Sequence, residues 1–214
     1  MAEAATVNAV KQALEKGKAL ERKFTQTVDL AILLKNVDLS VPKNRIDEDV
    51  ILPKGRGKTA KVAVFAQGEG AAKAKKVADL VIQPDEFESL QKNKQQFKKT
   101  ANGIHYFLAE APLMAQIGKT LGVVLGPRGK MPRPIPPGGD PSGQVSNLRN
   151  TVKLRSKDKN VFHCVVGAEG MKAEDIADNV EAVLKRVESK LEHGRMNLGG
   201  VFIKTTMGPS VRVV

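Results

Sequence analysis

This chain of 214 residues is poor in the groups on which many functions depend. It has no Trp, one Tyr and seven Phe. Proteins that grip single-stranded nucleic acid stack successive bases on aromatic rings, so that mode is disfavoured. A folded RNA, read through its backbone, shape and 2′-hydroxyls, suits the composition better. The one cysteine, Cys164, is flanked by apolar residues. No internal disulfide can form, and a buried, inert thiol in a reducing compartment is expected. One Cys and three scattered His (His105, His163, His193) supply no metal cluster. No stretch approaches the roughly 18 apolar residues of a membrane span, and no signal-peptide run opens the sequence. A cytosolic protein is expected.

Positive charge, by contrast, is plentiful. The formal net charge is +12. That favours a polyanionic partner, nucleic acid first and an anionic membrane surface second. Solubility alone is the plainer account of the same charge. Hydrophobic residues make up 41% of the chain, enough for a real core, and the length allows two modest domains.

Periodicity divides the chain into three parts. Val7, Val10, Leu14 and Leu20 recur at helical spacing among Lys and Glu over residues 3–22. From Thr25 the period becomes two: Val28, Leu30, Ile32 and Leu34 share one face of a strand, with Thr27 and Asp29 on the other. A second strand near Asp49–Leu52 runs into Pro53-Lys-Gly-Arg-Gly-Lys58, a flexible basic crossing. The texture then changes. Lys61–Ala66 is a continuous apolar run, as in a strand covered on both faces. Helical and strand patterns alternate after it: Leu80–Ile82, a helix opened by Pro84, the strand His105–Ala109, and a helix from Pro112. This βαβαβα order predicts a parallel sheet with helices on both faces. Residues 126–143 hold six Pro and five Gly, which predicts irregular structure. A helix follows from about Pro141 towards Asn150. Strand alternation returns at Thr151–Arg155 and Val161–Val166. Next comes an amphipathic helix with Ile176, Val180, Val183, Leu184, Val187 and Leu191 on one stripe, ended by Gly194.

The two ends resemble each other and the middle differs. The economical reading is a discontinuous α+β domain, 1–58 plus 151–214, built as a split β-α-β sandwich, with a parallel three-layer α/β domain inserted at 59–150. Both domains are basic, and the crossings near 58 and 150 form one hinge.

Enzyme chemistry finds little support. Gly68-Glu-Gly70 follows a strand and opens a helix, but Lys73 stands where a dinucleotide fingerprint needs its third glycine. Gly126-Pro-Arg-Gly-Lys-Met131 has Val124 in place of the first glycine of a phosphate-binding loop, and Met131 in place of its Ser or Thr. Arg128, Lys130 and Arg133 on that proline-stiffened loop still suit phosphate contacts, or a solvated surface. His163 and Cys164 are neighbours on one strand and point to opposite faces, so they form no catalytic pair. A nucleotide-dependent enzyme built on the inserted domain stays as the alternative from another class. An assembly factor that binds RNA without sequence preference is a third reading.

Three stretches stand out: Lys23-Phe-Thr-Gln-Thr-Val-Asp29, Gly126-Pro-Arg-Gly-Lys-Met-Pro132, and the end of the chain, where a strand, a Thr205-Thr-Met-Gly-Pro-Ser210 bend and a second strand follow one another. The bend offers three hydroxyls (Thr205, Thr206, Ser210), a flexible apolar contact (Met207) and a glycine (Gly208) that a partner's backbone can approach. Phe24 shares parity with Val28 and Leu30, so the residues alone also allow it a place in the core.

In that combination and order, the chain resembles the family of large-subunit ribosomal protein number one, which builds the mobile side stalk. The likeness covers essentially the whole chain and looks archaeal. It implies a non-enzymatic, cofactor-free ribosomal protein that is cytoplasmic, ribosome-associated and monomeric when free. The implied partners are large-subunit rRNA, tRNA at the exit site whose release the stalk assists, and the protein's own mRNA leader in translational repression; no membrane is involved. It also implies an RNA-binding set of Lys23, Phe24, Thr27, Asp29, Arg155, His163, Thr205, Thr206, Met207, Gly208 and Ser210. In that reading Phe24 and Met207 exclude water, hydroxyls meet 2′-OH groups, Lys23 and Arg155 meet phosphates, and Asp29 accepts hydrogen bonds.

Overall fold

The computed structural model describes residues 4–19, 22–157 and 159–213. In chain order the elements are α1 (Ala4–Lys18), β1 (Thr27–Leu34), β2 (Asp47–Ile51), β3 (Val62–Phe65), α2 (Gly68–Ala74), β4 (Leu80–Ile82), α3 (Phe87–Lys92), α4 (Lys94–Gly103), β5 (Tyr106–Glu110), α5 (Met114–Thr120), α6 (Gly122–Leu125), β6 (Arg133–Ile135), α7 (Ser142–Arg149), β7 (Thr151–Arg155), β8 (Val161–Ala168), α8 (Ala173–Lys190), β9 (Leu198–Thr205) and β10 (Val211–Arg212). Leu20, expected on the first helix, lies outside the described residues. The chain divides into two compact units: Met1–Lys58 with Asn150–Val214, and Thr59–Arg149. The architecture is the expected mixture of an antiparallel α+β part and a parallel α/β part.

In the first unit, β1 lies inside an antiparallel sheet of order β10-β9-β1-β8. Its alternation does what period two requires. Val28, Leu30, Ile32 and Leu34 point into a core shared with Phe162, Cys164 and Val166 of β8 and Val201 and Ile203 of β9. Each such side chain, fully buried, contributes about 1.5–3 kcal/mol. Val10, Ala13 and Leu14 of α1, and Ile176, Val180, Val183 and Val187 of α8, complete that core. The opposite pleat of the sheet carries Asp29, Ala31, His163, Phe202 and Lys204. β2 and β7 pair separately as a two-stranded antiparallel sheet. Cys164 is buried, and burial, helped by the charge of Asp29, pushes its thiol pKa up to about 12, which keeps it protonated and unreactive. α8 closes at Leu191, before Gly194; that glycine instead takes φ +51° at the start of a 3-10 turn, which Asn197 Oδ1 braces by accepting from His193 N at 2.9 Å.

The second unit holds four parallel strands in the order β4-β3-β5-β6. All four residues of β3 are buried, as a strand covered on both faces demands. One face packs Phe65, Phe87, Phe97 and Phe107; the other packs Val62, Val64, Leu108, Val145 and Leu148. Two expectations fail here. The Pro/Gly-rich segment contains a strand, β6, which pairs with β5. Pro134 is tolerated because β6 is an edge strand, where a missing N–H breaks no second ladder. The helix opened by Pro84 is also two helices, because Asn93 (φ −98°, ψ 55°) interrupts α3 and α4.

Candidate nucleic-acid interface

The bend after β9 is tied down before any partner arrives. Thr206 N donates to Thr27 O at 3.0 Å, which extends the β1–β9 ladder by one step. Thr206 Oγ1 accepts from Thr27 N at 3.1 Å and stands 2.9 Å from Thr27 Oγ1. The next backbone group, Met207 N, donates to Gln26 Oε1 at 3.1 Å, while Gln26 Nε2 donates to Gly17 O at 3.1 Å. The Gln26 amide, 1% exposed, therefore joins the end of α1 to the bend with both polar atoms satisfied. Its backbone is held as well: Glu169 N donates to Gln26 O at 2.9 Å, and Gln26 N donates to Glu169 Oε2 at 3.3 Å.

This lacing sorts the expected residues. Phe24 and Met207 are half exposed, at 50% and 51%, so Phe24 is not a core residue despite its parity. Lys23, Thr206 and Ser210 are exposed, and Thr27 is half-buried beside Thr206. Two residues depart from expectation. Thr205 is fully buried, and its hydroxyl faces inward, accepting from Gly208 N at 3.1 Å. Gly208 is buried too: a Cβ there would strike Thr205 Oγ1 and lie 3.3 Å from Gly17 Cα. Thr205 and Gly208 are both buried and hold the bend's own shape. Gly17 is the third member of this contact, since a Cβ on it would sit 2.5 Å from Thr205 Oγ1 and 2.7 Å from Thr205 Cγ2.

Asp29 stands on the outer pleat of β1, opposite Lys204 of β9. Burial raises its carboxyl pKa above the ordinary value, against the pull of Lys204, His163 and Arg56. His163 is exposed on β8 opposite Ala31, on the same pleat as Asp29. Arg155 points outward as its alternation predicts, but on the separate β2–β7 sheet, where its Nε lies 3.4 Å from Asp47 Oδ2. The structure thus gathers Lys23, Phe24, Thr27, Asp29 and the bend around one end of β1, with His163 further along the pleat and Arg155 on another sheet.

Four residues at the same place escaped the sequence reading. Gln26 and Gly17 have been described; a glycine near the end of an otherwise regular helix, at a cost of about 0.5–1 kcal/mol, was the available signal. Lys204 precedes the bend with outward parity. Lys58 of the basic crossing reaches back and donates from Nζ to Thr25 O at 2.8 Å.

The Gly126–Pro132 stretch lies at the surface, but two of its cations are tied back to the fold. Lys130 Nζ donates to the carbonyls of Ala101 (2.8 Å), Ile104 (2.5 Å) and Asn102 (3.4 Å), closing the C-terminal end of α4. Burial, with Arg128 nearby, lowers its pKa. Arg128 donates to Asn102 Oδ1 at 3.0 Å and to Val124 O at 3.0 Å. Both cations are thus engaged with the fold. Arg133 lies 5.8 Å from the centre of the Tyr106 ring.

Comparison with known proteins agrees with the fold. The chain matches the model of the Ribosomal protein L1p/L10e family over residues 13–209. It is 51% identical to the large ribosomal subunit protein uL1 of Methanocella arvoryzae, over 100% of both chains. It is 50% identical to that of Archaeoglobus fulgidus and 49% identical to that of Thermoplasma acidophilum, each over 97% of this chain and 96% of the relative. The chain belongs to the ribosomal protein L1p/L10e family, as a member of the archaeal type. It is a structural protein of the large ribosomal subunit, not an enzyme, and is found with ribosomes in the cytoplasm. Among the described residues, no helix is long and apolar enough to cross a membrane.

Proposed function

We propose that the first unit binds a folded region of large-subunit rRNA through the bend and the start of β1. There the protein builds the mobile stalk beside the tRNA exit site and assists release of deacylated tRNA. The observation that carries this reading is the pre-ordered bend, in which Gln26, Thr27 and Thr205 fix the backbone while Phe24 and Met207 stay half exposed. A surface ordered in advance spends little binding free energy on its own immobilisation. Phe24 and Met207 cover ribose and base edges, Thr206 and Ser210 meet 2′-hydroxyls, and Asp29 accepts from RNA hydroxyls or amines. Lys23, His163 and Arg155 face phosphates, and Thr205 and Gly208 hold the bend's shape. The protein acts as a monomer when free, and represses its own translation by binding an mRNA leader that imitates the rRNA site.

The test is filter binding to a side-stalk rRNA fragment against an unrelated hairpin of equal length, across a salt series. Tight binding to the stalk fragment that outlasts moderate salt supports the reading. Equal binding that collapses with salt reduces it to non-specific attraction. Thr206→Ala and Met207→Ala should each cost about 1–3 kcal/mol of that binding, and unchanged affinity in folded variants removes the bend from the site. Competition by the protein's own mRNA leader tests repression.

A further inference from the structure

The second unit carries a basic surface that the fold does not use. α3 ends in Lys92, and α4 begins with Lys94 and continues through Lys98 and Lys99; all four lysines are exposed. Among the described residues, none of them has an ion-pair or hydrogen-bond partner. Lys92, Asn93, Lys94, Gln95, Gln96 and Lys99 line an open groove of about 490 Å³. α4 contains no acidic residue at all, and its first turn has none to balance the helix dipole. Lys94 and Lys98 lie one turn apart on one face, so they repel each other. Lys94 also sits at the positive end of the helix dipole, where a cation is unfavourable.

The two ends of α4 make the contrast clear. At its C-terminus the fold spends Lys130 on three carbonyls, with the sign the dipole favours. At its N-terminus it places Lys94, with the sign the dipole opposes, followed one turn on by Lys98 and Lys99, and leaves all three in water. Helix stability accounts for Lys92, at the C-terminal end of α3, but not for Lys94, Lys98 and Lys99. An external polyanion does, because it would remove both the mutual repulsion and the dipole penalty. The groove is lined by Lys, Asn and Gln side chains, methylene stems that end in ammonium and amide groups, and by no apolar residue. That suits a phosphate–sugar backbone, and it gives a protein partner no apolar anchor of the kind that dominates protein interfaces.

We propose that the Lys92–Lys99 groove is a second RNA-binding surface, which contacts the phosphate backbone of large-subunit rRNA independently of the bend. It is a positioning surface, without base readout.

The test uses the full chain with Lys92, Lys94, Lys98 and Lys99 replaced by Gln, which matches Lys in helix propensity. Binding to a full-length large-subunit rRNA transcript is followed across a salt series. Each lost phosphate contact removes roughly 0.7–0.9 from the log–log slope, so the variant's slope should fall by about 3. Met207→Ala, in parallel, should weaken binding and keep the slope. An unchanged slope in the folded Gln variant overturns the proposal. A reduced slope together with a harmless Met207→Ala would retain this surface and reject the bend. In a second arm, acylation of these lysines by an amine-reactive reagent is compared between free protein and assembled large subunits. Protection in subunits, with an unchanged slope on naked rRNA, assigns the groove to a protein neighbour and overturns the RNA reading.

Discussion

Gly17→Ala is the sharpest probe of how the bend is held. Local physics favours the substitution, because Ala in a helix is better than Gly by about 1 kcal/mol. Tertiary packing opposes it. The new Cβ would lie 2.5 Å from Thr205 Oγ1 and 2.7 Å from Thr205 Cγ2, and Thr205 is fully buried. The Thr205 side chain cannot rotate away without losing the hydrogen bond from Gly208 N. Overpacking of this kind costs about 1–3 kcal/mol, so the upper part of that range leaves a net loss of about 1–2 kcal/mol. The lone Tyr106 lies in the other unit, so its fluorescence is blind to this change. Amide hydrogen exchange is not: residues of β1 and β9 should exchange about 5- to 30-fold faster than in the parent protein. Thr205→Ser removes the Cγ2 contact and keeps the hydroxyl, so the double variant should recover part of the loss. Slower or unchanged exchange in Gly17→Ala would mean that helix propensity wins and that Gly17 does not set the position of Thr205.

Other outcomes follow from the same contacts. Gln26→Leu leaves Met207 N and Gly17 O without partners and should destabilise the first unit by about 1–3 kcal/mol, read by exchange at Met207 and Gly208. Lys130→Met uncaps α4 and should lower the stability of the second unit by about 1–3 kcal/mol, followed by Tyr106 fluorescence in denaturant, while affinity for the side-stalk rRNA fragment stays unchanged. Asp29 titrates above its ordinary value in the folded protein because burial disfavours its charge. The folded state therefore holds this proton more tightly than the unfolded chain. Stability falls as pH rises from the ordinary Asp value through the raised one, and stays lower above it. Asp29→Asn should stabilise the free protein at neutral pH, with the difference vanishing at acid pH in a pH series of denaturant midpoints.

The parts of the fold that a local pattern dictates could be read from sequence. The alternation of Val28, Leu30, Ile32 and Leu34, the stripe along α8 and the unbroken apolar run of β3 each announce their burial, because period and run length follow directly from strand and helix geometry. Composition misled where an edge strand tolerates proline, at Pro134, and where one residue, Asn93, divides a helix. Around the bend, residue identity did not reveal how the side chains pack. Thr205 and Gly208 look like groups offered to a partner, and they face inward because Gly17 leaves room for them. Gln26 reaches Met207 across a sequence separation of 181, beyond any periodic signal.

The strand order of the first unit also decides when its surface can exist. β1 is made early but lies between β8 and β9, so Thr27 must wait for Ala168 on one side and for Thr206 on the other. The second unit, whose sheet is built from consecutive chain, is synthesised before either neighbour of β1. Two bare strand edges stay open through that interval, and Gln26 has no Met207 to receive. On the proposed function, a nascent or truncated chain keeps its charge but lacks the ordered surface that would choose an RNA. The contacts that order the bend, from Gln26 to Met207 and from Thr27 to Thr206, therefore join segments of the chain that are made far apart in time.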